Sequence, residues 1–325
     1  MDLKQIGYSI FRGFYDSFSG MITILYLDKE INERKINRVS PTRANAVRQK
    51  LDSRESTPIR QLKKHEESKV TKRIIQCGVL NGGIFLMSIL LFEYGLLPTI
   101  NKVFGYIFGN ESFMGKFVWS WMEPMLLLIF RTVWVIPLFL LSKLVNALWF
   151  QDIADSAYRH SRGRPVFAQS ISKLLADSIF SIVIQFLFLL QATAVSYIPI
   201  YMVGYTLSLL QMCMLYSLYA FEYKWFNMGW ELHKRLSYIE ANWPYFFGFG
   251  LPMAIFTELS PSWIISGCVF SILFPFFIIS GNEAIPIQSP SGYPLHVFSP
   301  VISISNMFFS RTIGNPKKTP THVQK

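Results

Sequence analysis

Residues 178–221 read SIFSIVIQFLFLLQATAVSYIPIYMVGYTLSLLQMCMLYSLYAF, and these 44 residues hold no Asp, Glu, Lys, Arg or His. A bilayer core of about 30 Å takes up roughly 20 apolar helical residues at about 1.5 Å each. One continuous helix of this length would reach across such a core about twice over. The chain therefore folds back inside the run, and Ser196-Tyr197-Ile198-Pro199 supplies the break. Proline disfavours helix at the residue before it and readily opens the next one. The stretch reads as a tight helical hairpin, and it sets the fold class: an all-α, polytopic membrane helical bundle.

Working outward, the hairpin arms are 174–195 and 199–221. Upstream lie apolar segments 78–98 and 118–142, and downstream lie 244–258 and 262–281, separated by Glu258 and a turn that Pro261 favours. That makes six hydrophobic segments within a transmembrane domain at 75–284. Segment 244–258 is short for a crossing. The last pair is either two spans or a re-entrant hairpin that dips part-way, which requires its turn to be covered by protein or water. Four or six segments then cross. Composition agrees with the class. The chain is 51% hydrophobic and 16% charged, with 29 Phe and 8 Trp, whereas soluble domains average about 25% charged residues.

The net charge of +11 would by itself suit nucleic acid or an anionic membrane. Its placement decides. With the N-terminus in the cytosol, 28 of the 31 Lys and Arg fall on the cytosolic side, two (Lys102 and Lys116) on the other, and Arg131 inside a span. By the positive-inside rule both termini are cytosolic. The partners expected are the lipid bilayer, its anionic cytosolic leaflet and cytosolic proteins. No recognised nucleic-acid-binding module is present, so no nucleic-acid partner is expected.

Residues 1–28 read as an amphipathic helix. Ile6, Ile10, Phe14 and Phe18 repeat every four residues, and Phe11, Tyr15, Ile22, Leu25 and Tyr26 widen the face. Such a helix lies in the membrane interface or packs on the protein's own loops. Residues 29–74 are basic and lack apolar periodicity, which predicts a flexible cytosolic arm. Residues 285–325 form a cytosolic tail. The N-terminus has no cleavable-signal pattern. Cys77, Cys213 and Cys268 lie in or beside apolar segments and read as reduced packing residues.

Chemistry-bearing patterns are sparse. HExxH, P-loop, GxSxG and CxxC motifs are absent, and the five histidines show no metal-ligand spacing. The sequence therefore predicts no enzyme, no catalytic or metal residues and no cofactor. Glu93, Glu123 and Arg131 lie inside apolar runs, where ionisable groups are costly and raise a functional hypothesis. Asp152 and Asp155 follow the aromatic pair Trp149-Phe150 and share a helical face, as a cytosolic interaction surface would. Asn110-Glu111-Ser112 is an N-glycosylation sequon in the non-cytosolic loop.

Several long strings carry a resemblance: NGGIF (81–85), WSWMEP (119–124), LSKLVNALWFQDIAD (141–155), FEYKWFNMGWELHKRLSYIEANWPYFFGFGLP (221–252) and IISGCVFSILFPFFIISGNEA (264–284). Over about 75–284 the chain resembles the etoposide-induced protein 2.4 family. The tail after 285 departs from it. The resemblance implies a non-enzymatic multi-pass protein of the endoplasmic reticulum membrane, required in macroautophagy for forming degradative autolysosomes, with autophagy-related membrane or cytosolic proteins as partners. The family's sequence neighbours include the bacterial sulfate permease CysZ, whose part-penetrating hairpins suit the 244–281 pair. That relation implies an alternative, a small-anion transporter or channel. Arg131 is not part of the family pattern, and no catalytic residues carry over.

Overall fold

The computed structural model describes residues 3–38, 69–109, 112–163, 171–260, 262–287 and 294–313. Among these, all regular structure is helical. Helix α1 spans Leu3–Arg38. The long helices α2, Val70–Phe108, and α3, Phe113–Ser161, follow. Then come α4, Ile171–Ser196, and α5, Tyr201–Asn227. A short α6, Leu232–Ala241, leads to α7, Trp243–Glu258, and α8, Trp263–Glu283. The last helix, α9, is Ser299–Ile313.

Among the described residues, four stretches are long and apolar enough to cross a membrane: Val70–Phe108, Phe113–Ser161, Ala176–Ser196 and Trp263–Glu283. Helix α7 has 16 residues, about 24 Å, and falls short of a bilayer core of about 30 Å.

Local chemistry explains the breaks. Gly109, at φ 84°, ends α2 in the left-handed region that glycine enters without penalty. Ser112 opens α3, its hydroxyl accepting from the Gly115 N–H at 3.4 Å. The α4–α5 turn falls at residues 197–200, where the sequence places it. Helices α2 and α3 run well past segments 78–98 and 118–142. Hydropathy marks only an apolar middle, whereas a helix continues until a residue stops it. Helix α1 likewise continues to Arg38, beyond the boundary at 28 read from composition. Residues 39–68 of the arm lie outside the described residues, as does Pro261.

The chain forms two compact units. One comprises Met1–Tyr15, Val166–Ala254 and Ile285–Lys325. Its core is aromatic: Phe221 meets Phe246 and Phe249 edge-on at 5.2 and 4.8 Å. Helices here meet at backbone contact. A Cβ on Gly250 would stand 1.9 Å from the Cys213 carbonyl oxygen, one on Gly13 2.0 Å from that of Tyr245, and one on Gly248 2.0 Å from that of Ile10. Close approach through small residues is how helices associate in lipid, where no hydrophobic force drives them together.

The second unit comprises Asp16–Pro165 and Ile255–Ala284. Phe85 and Ile89 of α2, Val135 of α3 and Cys268 of α8 form its buried core. Here the Gly20 N–H donates to Ser280 Oγ at 2.8 Å, and that hydroxyl donates to the Ser17 carbonyl at 2.7 Å. Each polar group is thus satisfied by the contact that brings the helices together.

Burial along α1 is informative. Ser9, Gly13, Asp16, Ser17 and Gly20 are buried, while Tyr8, Phe11, Phe14, Tyr15, Ile22 and Tyr26 are exposed. The small and polar stripe packs on protein; of the apolar face read from the sequence, Phe11, Phe14, Tyr15, Ile22 and Tyr26 are exposed, whereas Ile6, Ile10 and Phe18 are partly buried.

Candidate functional site

The charge-free run 178–221 is bounded by Asp177 and Glu222. A hairpin places its two ends side by side, so these carboxylates become neighbours at the base of α4 and α5. Between them comes Arg235 from α6. Its side chain is only 2% exposed. Nη2 donates to Asp177 Oδ2 at 2.8 Å, and Nη1 lies 3.4 Å from Glu222 Oε1. Nε and Nη2 also donate to the Trp230 carbonyl at 2.8 and 2.6 Å. Ser181 Oγ and Gln185 Nε2, one and two turns along α4, donate to the two Glu222 oxygens. Asp177 Oδ1 accepts the Leu232 N–H at 3.2 Å, placing negative charge at the α6 N-terminus, where the helix dipole favours it.

This clasp sits against an aromatic group. Trp225 and Trp230 stack at 5.7 Å, and Tyr238 meets them edge-on at 5.9 and 5.5 Å. Lys234 Nζ lies 4.1 Å from the Trp230 ring centre, a cation–π distance. Burial pushes the Tyr238 phenol above its usual value. The arrangement holds two carboxylates and one guanidinium in charge-assisted hydrogen bonds, which fix the turn between α5 and α6. Its chemistry is that of a fastening. A second fastening joins α6 to the start of α9: Glu240 accepts the Phe298 N–H at 2.8 Å and lies 3.4 Å from His296 Nδ1.

The residues singled out from the sequence are placed as follows. Glu93 and Arg131 come together across the α2–α3 hairpin at 3.6 Å. Phe92 and Phe130 stack beside them at 3.8 Å. Both charges lie on π-helical turns, Leu91–Leu96 and Arg131–Val135. Such turns are rare and re-aim side chains within a helix. Glu123 is half-buried on α3 and makes no ion pair among the described residues. Asp152 pairs with Arg73 of α2 at 3.0 Å, and Asp155 accepts from Gln151 at 2.9 Å. Asn110 lies outside the described residues. Among the described residues no group of three His, Cys, Asp or Glu is arranged to hold a metal.

One pair was not singled out in the sequence. Asn81 and Asn146 exchange reciprocal amide hydrogen bonds at 2.9 and 3.0 Å, both fully buried between α2 and α3. Asn81 also donates to the Cys77 carbonyl at 2.8 Å.

The strings that carry the resemblance build these features. NGGIF and LSKLVNALWFQDIAD supply the asparagine pair, and FEYKWFNMGWELHKRLSYIEANWPYFFGFGLP supplies most of the clasp and its aromatic group. Comparison with known proteins points the same way. Residues 60–281 match the family described as sulfate transporter CysZ/etoposide-induced protein 2.4. The chain is similar to ectopic P granules protein 4 of Caenorhabditis elegans, 26% identical over 86% of this chain and 83% of that protein. It is also similar to two proteins named EI24 homolog. That of Dictyostelium discoideum is 30% identical over 76% of this chain and 80% of its own length, and that of Arabidopsis thaliana 29% over 67% and 76%. No solved structure matches at a significant level. With the match covering the paired helices, the clasp and the asparagine pair alike, the chain belongs to the sulfate transporter CysZ/etoposide-induced protein 2.4 family.

Proposed function

We propose that this protein is a non-enzymatic, multi-pass protein of the endoplasmic reticulum membrane that acts in macroautophagy, in the maturation of autophagosomes into degradative autolysosomes. Family membership is the observation that carries the reading. The bundle holds a basic arm on one membrane face, with N- and C-termini cytosolic. The arm engages the anionic leaflet or cytosolic partners where autophagic membranes meet the reticulum. The aromatic face of α1, turned away from its protein-packed stripe, lies in lipid at the same face. Helix α7, at 16 residues, is too short to cross the membrane on its own. Depleting the protein should leave autophagosomes that form but fail to become degradative. Undiminished turnover of autophagic cargo in depleted cells would rule the reading out.

The family description also names a sulfate transporter, so anion passage is the second reading. The geometry at Arg131 weighs against it, because the cation an anion would seek is already paired with Glu93. Purified protein in liposomes should release trapped sulfate no faster than empty vesicles. Release that Arg131→Ala or Glu123→Ala abolishes would favour transport instead.

A further inference from the structure

The α2–α3 hairpin is longer than the membrane it would cross. Exposed apolar side chains run from Ile75 to Phe108 on α2 and from Phe113 to Leu148 on α3, about 50 Å of helix on each arm. A bilayer core is about 30 Å thick, and helix tilts reach at most about 40°, so roughly 26 residues suffice even at that extreme. At a more usual tilt of about 20° roughly 21 suffice.

The excess lies at one end. At the base, Arg73 pairs with Asp152 at 3.0 Å and its guanidinium lies 6.0 Å from the Trp149 ring centre. A charged pair beside an aromatic marks that level as an interface. Counting from Ile75 and Leu148, α2 leaves the core at about residue 96–100 and α3 at about 122–127. Pro98 and Pro124 stand at those two levels. The Glu93–Arg131 pair lies between one and two turns inside them, on the side nearer the far headgroups.

Beyond these prolines the arms do not turn polar. Tyr106 is 92% exposed and Phe113 79%, and Val103, Ile107, Phe108, Met114 and Phe117 are exposed as well. Lys102 and Lys116 are exposed among them. Aromatic and aliphatic residues interleaved with lysine are the composition of segments that lie in the headgroup–acyl boundary.

We propose that the two arms flanking the hairpin turn, residues 99–109 and 112–121, are a lipid-docking surface that bends at Pro98 and Pro124 and lies in the far leaflet of the protein's own membrane. This rests on the membrane reading above. The test places an environment-sensitive fluorophore on Tyr106→Cys or Phe113→Cys in the full chain, with Cys77, Cys213 and Cys268 replaced by alanine, in phosphatidylcholine–phosphatidylethanolamine vesicles. Ile107→Cys and Met114→Cys serve as second variants, and Val133→Cys as a mid-span reference. Spin-labelled lipids should quench the tip probes most when the label is at the headgroup or upper chain, and the Val133 probe most when it is deep. Quenching should not change with protein-to-lipid ratio. Tip probes quenched by aqueous iodide as freely as the dye in solution would overturn the proposal while leaving the Val133 result intact. So would lipid quenching that fades as protein density rises, which would mean that a second copy covers the tip. A Val133 probe that no lipid quenches would overturn the membrane reading itself.

Discussion

Arg235 holds two carboxylates and a backbone carbonyl with one buried fork. Arg235→Ala leaves Asp177 and Glu222 facing each other without a cation, and removing one partner from a buried ion pair costs about 3–5 kcal/mol. The variant should melt well below the parent in detergent, followed by size-exclusion chromatography after heating. Arg235→Lys should recover part of the loss, because an ammonium keeps the charge and loses the fork. The asparagine pair is a smaller term. Asn81→Ala and Asn146→Ala, alone and together, should show a coupling of about 0.6–2 kcal/mol in a double-mutant cycle; additive losses would mean that the amides do not support each other. Part of this was legible in the sequence. A hairpin reading of 178–221 already implies that Asp177 and Glu222 meet. Arg235 was not legible, because nothing in local spacing reveals that α6 turns its fourth residue back toward the hairpin base. Glu93 was legible as an ionisable residue in an apolar run, but its pairing with Arg131 across the hairpin was not.

At the level of elements, glycines set how near the helices come. Gly250→Ala would push a Cβ to 1.9 Å from the Cys213 carbonyl and Gly13→Ala one to 2.0 Å from that of Tyr245. Backbone cannot yield as a side-chain tip can, so both variants should lower the melting temperature. Gly95→Ala meets nothing within 4 Å and should be neutral or stabilising by up to about 1 kcal/mol through helix propensity. If all three behaved alike, close packing would not be what holds these helices. Four apolar helices long enough to span were readable from hydropathy, because each carries a long stretch with few charges. The π-helical turns at Leu91–Leu96 and Arg131–Val135 were not, since they record a helix adjusting to its neighbour. Periodicity pointed to an aromatic face on α1, of which Phe11, Phe14, Tyr15 and Tyr26 are exposed. It did not show that the opposite stripe, Ser9-Gly13-Ser17-Gly20, is the one that packs.

For the whole molecule, the two units share no single sequence boundary, because each is assembled from separated segments. The charge distribution predicts an orientation, and its test is accessibility. A cysteine at Ser196 should label from the non-cytosolic side. One at Ser260 should label from the cytosol or not at all if α7 and α8 form a re-entrant hairpin, and labelling from the other side would make both helices full crossings. The basic arm invites a sharper test than its removal. Deleting residues 1–73 would also strip α1 from its seat against Tyr245 and Ser280 and confound loss of the arm with loss of the fold. Neutralising the Lys and Arg of 39–68 to glutamine leaves that seat in place. The most direct measurement is autophagic flux in cells depleted of this protein and supplied with either the parent chain or the arm-neutralised chain, both confirmed as inserted. The account predicts that depletion stalls cargo degradation, that the parent restores it and that the neutralised arm does not; full restoration by the neutralised chain, or no stall on depletion, would contradict it.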